Sequence, residues 1–400
     1  MSLPRLDPPT TTRSGGRRVR VLMGVPAPRA TEGGIALTVP LLVEDLRRAG
    51  HVDLETVSYG RWADGERRPI KVWHQVVDLL RYPSRVRRTD PDVVHLNTSL
   101  DRRALLRDIP FTLVTRLLGR PLLIQWHGSE THLLSSRMPI WRLLTQLLVR
   151  FVTALGVFSK QEESEIHHSR SAARCFVVKN AIDLRRYARN RALHSQLGIE
   201  AGAPLILFIG RLIPGKGLAD VVRAMPQIAS RFRAHLVVVG DGPMRARARR
   251  LVRELGLEQS VHFTGQIRES ETLHFYCGCD VLVFPSTLTE GLPMALLQAL
   301  AAGLGIVTTR LRAAVDYLRE PENCLFVEGR DPQGVARALS RLLGEARLLE
   351  RMRRHNLELA RRFDRQAVAQ EFTRIYRELA NGSPAAAHGA LHGSARESSC

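Results

Sequence analysis

Short apolar runs alternate with segments of helical periodicity along most of the chain. The apolar runs predict strands at 19–25, 52–57, 92–96, 122–126, 154–158 and 175–178, and again at 205–209, 235–239, 261–264, 281–284, 305–308 and 324–327. Strands that alternate with helices are typical of right-handed βαβ units, whose parallel sheets are covered by helices on both faces. Six strands in each half of the chain therefore predict an α/β protein with two Rossmann-like domains.

The predicted domain boundary lies between Asp183 and Ala203, where charged and Gly/Pro-containing segments flank a helical patch. The N-terminal domain then comprises residues 17–190, and the C-terminal domain comprises residues 191–363. A strongly amphipathic helix is predicted at 364–380, and it could pack either back onto the N-terminal domain or on its own domain. Residues 1–16 and 381–400 have the composition of disordered segments.

The longest uncharged stretch, residues 291–309, approaches the length of a membrane span. Pro293, Gln298, Gly303 and Gly305 interrupt it. This pattern favours a helix at about 293–302, followed by a buried strand at about 305–309. No membrane-spanning helix is therefore predicted.

The charge of the chain is strongly basic, with 59 basic and 39 acidic side chains and a formal net charge of +20. Residues 1–200 account for +13 of this excess. Such a positive field favours anionic partners, which include nucleic acid, phosphorylated ligands and an anionic membrane surface. Aromatic residues make up only 6% of the chain, and no zinc-finger, RNA-recognition or basic-helix motif is present. No specific nucleic acid partner is therefore predicted.

Residues 210–217, Gly-Arg-Leu-Ile-Pro-Gly-Lys-Gly, match a P-loop at every defined position except the last. That position needs the Ser or Thr hydroxyl that binds magnesium, whereas Gly217 has no side chain. The segment follows a predicted strand and precedes a predicted helix, so its backbone N–H groups can still bind an anion. Arg211 and Lys216 add two cations, which favours a diphosphate site over two solvated charges in a surface turn.

Several motifs, taken together in their order along the chain, resemble those of retaining glycosyltransferase family four, whose members have the GT-B fold. The resemblance spans residues 19–379 and rests on Gly33-Gly34-Ile35, Trp126-His127-Gly128, Asn180-Ala181-Ile182-Asp183, Gly210-Arg211-Leu212 with Lys216-Gly217, Gly240-Asp241-Gly242-Pro243, and Phe284-Pro285-Ser286 with Glu290-Gly291-Leu292-Pro293. It implies two parallel sheets that face each other across a cleft. The donor nucleotide is then expected mainly on the C-terminal domain, and the acceptor mainly on the N-terminal domain.

The resemblance also implies catalytic roles for four residues. Arg211 and Lys216 match the residues that bind the donor diphosphate and stabilise it as the leaving group. Glu290 matches an acid beside the transferred sugar, and His127 matches a histidine that lines the cleft. His127 could equally be a hydrogen-bonded structural histidine.

Further donor contacts are implied through the backbone. Gly291 and Leu292 are expected to bring N–H groups close to the donor. Gly33 and Gly34 fit a backbone turn that approaches the donor or the acceptor, or alternatively a plain helix-entry turn.

The family's second acid falls at position 298, where this chain has Gln298. In the family this residue usually bonds the ribose hydroxyls of the nucleotide. Glutamine keeps an acceptor oxygen but loses the charge, so weaker donor binding is expected. The alternative to an active enzyme is therefore a catalytically impaired homologue that binds sugar nucleotides or glycans.

The favoured hypothesis is a hexosyltransferase that retains the anomeric configuration and acts in bacterial surface-polysaccharide biosynthesis. Its expected partners are a nucleotide-sugar donor and a lipid-linked or oligosaccharide acceptor. The resemblance implies no cofactor and no metal ion, and the local chemistry agrees, since two cations can take the charge role of a metal. The five cysteines lack zinc-site spacing and are expected to be reduced, which favours a cytoplasmic location.

The basic segment 81–150 suggests a second partner, an anionic membrane at the inner face of the cytoplasmic membrane. It carries twelve arginines and five acidic residues, with apolar clusters between them. The expected membrane face comprises Arg142, Leu143, Leu144, Leu147 and Leu148. The same leucines could instead pack as core, since helical periodicity does not distinguish the two.

Overall fold

The computed structural model describes residues 17–27, 34–60, 68–169, 173–190 and 192–382. Residues 1–16 and 383–400 lie outside these ranges. The predicted disordered tail at 381–400 begins too early, because Asn381 is the last residue of the final helix and Gly382 is its C-cap.

The N-terminal domain is built on a parallel sheet of six strands in the order β2-β1-β3-β4-β5-β6. The strands are β1 (Val19–Val25), β2 (Val52–Ser58), β3 (Val93–Leu100), β4 (Leu122–Ser129), β5 (Ala154–Val157) and β6 (Arg174–Val177). The helices are α1 (Gly34–Ala49), α2 (Arg68–Thr89), α3 (Arg102–Leu117), α4 (Pro139–Phe151) and α5 (Lys160–His168). A short 3-10 helix covers Thr131–Ser135. Strands β3 to β5 are almost wholly buried, as expected for a parallel sheet with both faces covered.

The C-terminal domain repeats this plan, with the strand order β12-β11-β10-β7-β8-β9. Its strands are β7 (Leu205–Ile209), β8 (His235–Val239), β9 (Val261–Gly265), β10 (Val281–Phe284), β11 (Gly305–Thr308) and β12 (Leu325–Phe326). The helices are α6 (Ala192–Gln196), α7 (Leu218–Phe232), α8 (Arg245–Glu254), α9 (Glu269–Gly278), α10 (Met294–Ala301), α11 (Ala314–Tyr317), α12 (Pro332–Gly344), α13 (Ala346–Ala360) and α14 (Arg365–Asn381). Two more 3-10 turns lie at Leu184–Arg186 and Arg361–Phe363.

These two sheets confirm the predicted α/β class with two Rossmann-like domains. The strands of the first sheet differ from the prediction mainly at their carboxyl ends. Strand β4 continues to Ser129 because β3 continues beside it, with Thr98 paired to Trp126 and Leu100 to Ser129. His127 therefore lies within the last residues of a strand rather than in a loop after it.

The uncharged stretch 291–309 forms a helix followed by a buried strand, as predicted. Pro293 is the N-cap of α10, and β11 begins at Gly305. Among the residues that the structure describes, no helix is long and apolar enough to cross a membrane.

The amphipathic face expected on α4 does not exist as a single exposed surface. Leu148 is 1% exposed and belongs to the core under the first sheet, and Leu144 packs partly against that core. Leu143 and Arg142 are exposed, whereas Leu147 is half-buried. The helix must cover its own sheet, so most of its leucines are used there.

Helix α14 leaves the C-terminal domain and lies against α1, β1 and β3 of the N-terminal domain. Its buried residues include Phe372, Ile375 and Tyr376. The chain just before it is bound to the interdomain linker, because the Ile182 N–H donates to the Phe363 carbonyl at 2.9 Å and the Arg365 N–H donates to the Ile182 carbonyl at 3.1 Å. These two hydrogen bonds hold the two domains together at one side of the cleft.

Candidate active site

The glycine-rich segment after β7 forms a tight loop that ends at α7. Gly215 and Gly217 have φ angles of 88° and 82°, a region that side chains other than glycine rarely adopt. A Cβ atom at Gly217 would lie 2.5 Å from the Pro285 carbonyl oxygen. A Ser or Thr therefore cannot replace this glycine without moving the backbone, which excludes the P-loop interpretation on steric grounds.

The segment after β8 packs against this loop and supports it. The Leu212 N–H donates to the Asp241 carbonyl at 2.8 Å, and the Asp241 side chain accepts from Arg245 at 2.6 Å. A Cβ atom at Gly240 would lie 2.1 Å from the Gly210 carbonyl oxygen, so the two backbones touch there. The Gly240–Pro243 motif is therefore a structural support for the loop that carries Arg211 and Lys216.

Lys216 and Glu290 form an ion pair that joins the loops after β7 and β10. The side chains are only 14% and 19% exposed, respectively. Ser286 donates its hydroxyl to the same Glu290 oxygen at 3.1 Å, and the Lys216 Nζ lies 4.9 Å from the centre of the Phe284 ring. These contacts fix both charges at the carboxyl ends of neighbouring parallel strands, where ligands bind in doubly wound folds.

Arg211 is placed differently from Lys216. Its side chain is exposed, and within the described ranges it has no carboxylate partner. One of the two predicted cations is therefore neutralised by Glu290, and the other is free to bind an anion.

His127 lies on the opposite side of the cleft, near the end of β4. Its Nε2 is 2.9 Å from the Asn97 Oδ1, while the Asn97 amide nitrogen donates to the Gly24 carbonyl at 3.0 Å. The bond to Gly24 fixes the orientation of the Asn97 amide, so that its oxygen faces the histidine. Nε2 of His127 therefore carries the proton and donates it, and Nδ1 is an acceptor. Burial lowers the pKa of His127 to about 3, so the ring is neutral at physiological pH.

The loop after β10 brings the two sides of the cleft together. A Cβ atom at Gly291 would lie 3.3 Å from the His127 carbonyl oxygen and 3.2 Å from the Phe158 ring. The Asn180 side-chain amide donates to the Leu292 carbonyl at 3.3 Å. Glycine at 291 thus allows the loop that carries Glu290 to lie directly against the strand that carries His127.

Gln298 lies in α10 and donates its side-chain amide to the Glu269 carboxylate at 2.9 Å. Glu269 is the exposed first residue of α9. A negative charge is therefore present beside position 298, although the residue itself is neutral.

Two predicted glycines contribute less to this arrangement. Gly34 is the first residue of α1. Gly33 lies outside the described residues.

Sequence reasoning missed three side chains of this site, namely Asn97, Ser286 as a partner of Glu290, and Glu269. Asn97 left a signal, because it is a polar residue within a buried strand. Glu269 left none, since it lies in an ordinary solvated helix start.

Comparison with known proteins connects the C-terminal domain to one family. Residues 203–345 match the family model described as Glycosyl transferases group 1. An uncharacterized glycosyltransferase of Methanocaldococcus jannaschii is 32% identical over 37% of this chain and 38% of its own length. A phosphatidyl-myo-inositol mannosyltransferase of Propionibacterium freudenreichii is 28% identical over 71% of this chain and 70% of its own. For the Methanocaldococcus protein and three further relatives, the chain spans only 38 to 60% of the relative's length.

Solved structures resemble the whole described chain. Sucrose-phosphate synthase of Thermosynechococcus elongatus matches with a TM-score of 0.74 and 22% identity, over 92% of this chain and 100% of that one. HepE of Anabaena, in complex with UDP-glucose, matches with a TM-score of 0.69 and 15% identity, over 90% and 100% of the two chains. These likenesses concern the fold alone. The fold is GT-B, and the match to the Glycosyl transferases group 1 model lies in its C-terminal domain.

Proposed function

We propose that this protein is a glycosyltransferase that moves a hexose from a nucleotide-sugar donor to a lipid-linked or oligosaccharide acceptor, with retention of the anomeric configuration. The observation that carries the proposal is the Lys216–Glu290 ion pair, which lies beside an exposed arginine at the carboxyl ends of β7 and β10. The Glycosyl transferases group 1 match covers this half of the site, and membership of retaining family four stays a prediction.

The donor is expected to bind along the C-terminal side of the cleft. Arg211 and Lys216 supply two positive charges for a diphosphate, whose negative charge grows as the bond to the sugar breaks. Glu290 then turns from Lys216 towards the hydroxyls of the sugar. The complex of HepE with UDP-glucose supports a uridine nucleotide as the first donor to test. No cofactor or metal is part of the proposal.

The acceptor hydroxyl is expected to attack from the N-terminal side of the cleft. The new bond forms between the acceptor oxygen and the anomeric carbon while the bond to the diphosphate breaks, on the same face of the sugar. The acceptor proton passes to the leaving phosphate oxygen, because a histidine with a pKa of about 3 is a weak base at neutral pH. The Nδ1 of His127 accepts a hydrogen bond and orients the substrate.

The test of the proposal is a transfer assay with a panel of nucleotide sugars, read as release of nucleoside diphosphate and as the anomeric configuration of the product. Arg211→Ala and Glu290→Ala are expected to abolish transfer. The melting temperature should stay unchanged in Arg211→Ala, whose side chain is exposed, and fall in Glu290→Ala, which leaves Lys216 without its partner. Arg337→Ala and Glu350→Ala, whose side chains are 72% and 63% exposed and lie away from the site, are the matched controls. Retained turnover in both site variants would overturn the proposal.

Gln298 motivates the second candidate function, a homologue that binds sugar nucleotides without transferring sugar. Glu269 beside it preserves a negative charge, which favours the active enzyme. Tight donor binding with no release, for any donor and acceptor pair, would instead support the binding protein.

The proposed site of action is the cytoplasmic face of the membrane, with a phosphorylated lipid as acceptor. The N-terminal domain exposes large apolar side chains on α2 and α4, among them Trp73, Leu80 and Leu143, and the basic excess lies in the same half of the chain. The name of the phosphatidyl-myo-inositol mannosyltransferase relative agrees with a lipid acceptor. Vesicles that contain anionic lipid should sediment the protein at low salt, and a failure to do so would remove the membrane from the proposal.

A further inference from the structure

Arg312 crosses the cleft from the C-terminal to the N-terminal domain. It lies between β11 and α11, and its side chain is only 16% exposed. One end of the guanidinium donates to both the carbonyl and the hydroxyl of Ser129 at 3.3 Å. The other donates to the Thr131 hydroxyl at 2.8 Å.

Two carboxylates of α5 surround the same guanidinium. The Glu165 carboxylate lies 3.5 Å away and that of Glu162 lies 3.9 Å away. Glu162 is 1% exposed, and in the described part of the chain Arg312 is the cation paired with it. A buried carboxylate of one domain therefore finds its counter-charge in the other domain.

A second contact lies four residues further along the same segment. The Asp316 carboxylate accepts from the Lys160 N–H at 2.8 Å, at the first turn of α5. Residues 312–316 thus contact the N-terminal domain through the end of β4 and the start of α5 together. We call this set of contacts the cleft-side clamp.

The clamp holds the two N-terminal segments that contact the loop of Glu290. Ser129 lies two residues after His127 in β4, and Ser159, which donates to Glu162 at 3.0 Å, directly follows Phe158. The His127 carbonyl and the Phe158 ring are the atoms against which Gly291 packs. A shift of Ser129 or Glu162 would therefore also move the His127 carbonyl and the Phe158 ring, which form the surface beside Glu290.

We infer that Arg312 is a positioning residue that closes the cleft and holds His127 against the loop of Glu290. The inference rests on the proposed transfer reaction only for its kinetic consequence. Opening the cleft costs few contacts, because Glu162 keeps hydrogen bonds from Ser129, Ser159 and the Phe158 N–H within its own domain. The clamp can therefore open for substrates and close again.

The binding and transfer steps respond differently to this residue. The proposed diphosphate ligands, Arg211 and Lys216, both lie on the C-terminal domain, so loss of Arg312 leaves nucleoside diphosphate affinity within about twofold. Transfer needs both sides of the cleft, and a misplacement of about 1 Å costs up to 100-fold in rate. Arg312→Ala is therefore expected to lower kcat about 10- to 100-fold, with a smaller change in the donor KM.

The experiment compares Arg312→Ala and Arg312→Lys with wild type, using small-angle X-ray scattering and transfer kinetics. Arg312→Ala should increase the radius of gyration and lower kcat, and Arg312→Lys should restore part of both, since lysine keeps the charge but not the planar fork. The matched control is Arg310→Ala, two residues away and 61% exposed, with its nearest carboxylate 3.9 Å distant.

The outcomes separate this inference from the proposed function. An unchanged radius of gyration in Arg312→Ala, or the same kinetic loss in Arg310→Ala, overturns the inference and leaves the transferase proposal intact. If wild type transfers no sugar, scattering with and without UDP still decides whether Arg312 closes the cleft. Should Arg312→Ala fail to fold, the same comparison is made with Arg312→Lys.

Discussion

Two arginines join the domains, and they do so in different surroundings. Arg365 lies where α14 meets the interdomain linker at Ile182, and we call this the hinge side. It is 6% exposed and binds Asp45 through Nε at 2.6 and 2.8 Å, Glu44 at 2.9 Å and Asp183 at 3.2 Å. On the cleft side, Arg312 binds mainly hydroxyls and a carbonyl, and its nearer carboxylate, Glu165, is 34% exposed.

The surroundings of the two arginines decide how permanent each contact is. Arg365 begins a helix whose apolar face is part of the core shared by the two domains, so separating the domains on this side would also expose Phe372 and Tyr376. The hydrogen-bond partners of Arg312, Ser129 and Thr131, are buried but neutral, and water can replace the arginine as their donor once the cleft opens. The proposed transfer reaction needs both kinds of contact, one that holds the domains together and one that opens for the substrate.

The largest expected effect is the loss of the hinge-side arginine. Arg365→Ala removes the nearer partner of Asp45, a carboxylate that is 4% exposed and would keep only Arg48, at 3.7 Å. Removal of one partner from a buried ion pair costs about 3–5 kcal/mol in the free energy of unfolding. Urea denaturation measures the difference in the free energy of unfolding between wild type and variant. Arg361→Ala is the control, because the Arg361 side chain is 73% exposed. A loss below about 1 kcal/mol would make this contact no stronger than a surface ion pair.

The hinge also shows what the sequence can predict about this fold. The pattern of apolar runs locates the twelve strands to within a few residues, because a buried parallel strand is apolar on both faces. The amphipathic pattern at 364–380 predicts helix α14. It does not identify the surface that α14 covers, since periodicity shows that a face is buried and not what it packs against.

The site shows the same limit at the level of single residues. Arg211, Lys216 and Glu290 can be selected from motifs, whereas the pairing of Lys216 with Glu290 joins residues 74 positions apart and depends on strand order. Arg312 belongs to no motif in the sequence. Its role depends on a contact between two domains, which no local pattern encodes.

An intermediate effect is expected from acid on the hinge side. His95 is buried, its Nδ1 lies 2.8 Å from the Tyr376 hydroxyl and its ring stacks on Phe372. Burial lowers the pKa of His95 to about 3. The unfolded chain binds a proton near pH 6.5 and the native chain does not, so stability falls as the pH drops from 6.5 towards 3, by up to about 1.4 kcal/mol per pH unit.

Denaturation curves between pH 7 and pH 5 check this slope. His95→Gln removes the titrating ring and should flatten the curve by the contribution of one histidine. His127, on the cleft side, also has a pKa lowered to about 3, so His95→Gln retains the part of the slope that comes from that residue. An unchanged slope in His95→Gln would show that burial does not lower the pKa of His95 in solution.

The smallest effect is expected at the cleft-side contact of Asp316 with the start of α5, and it tests the comparison most directly. Asp101 accepts from the Arg103 and Ala104 N–H groups within its own domain, and Asp101→Ala should cost about 1 kcal/mol, as for other N-caps. Asp316 accepts from the Lys160 N–H across the cleft. Because the cleft can open before the chain unfolds, Asp316→Ala should cost less than about 0.5 kcal/mol, an effect that salt reduces further. If the two variants lose equal stability in urea, the cleft-side contact is as permanent as a contact within one domain, and Arg312 is then a structural bridge rather than a clamp.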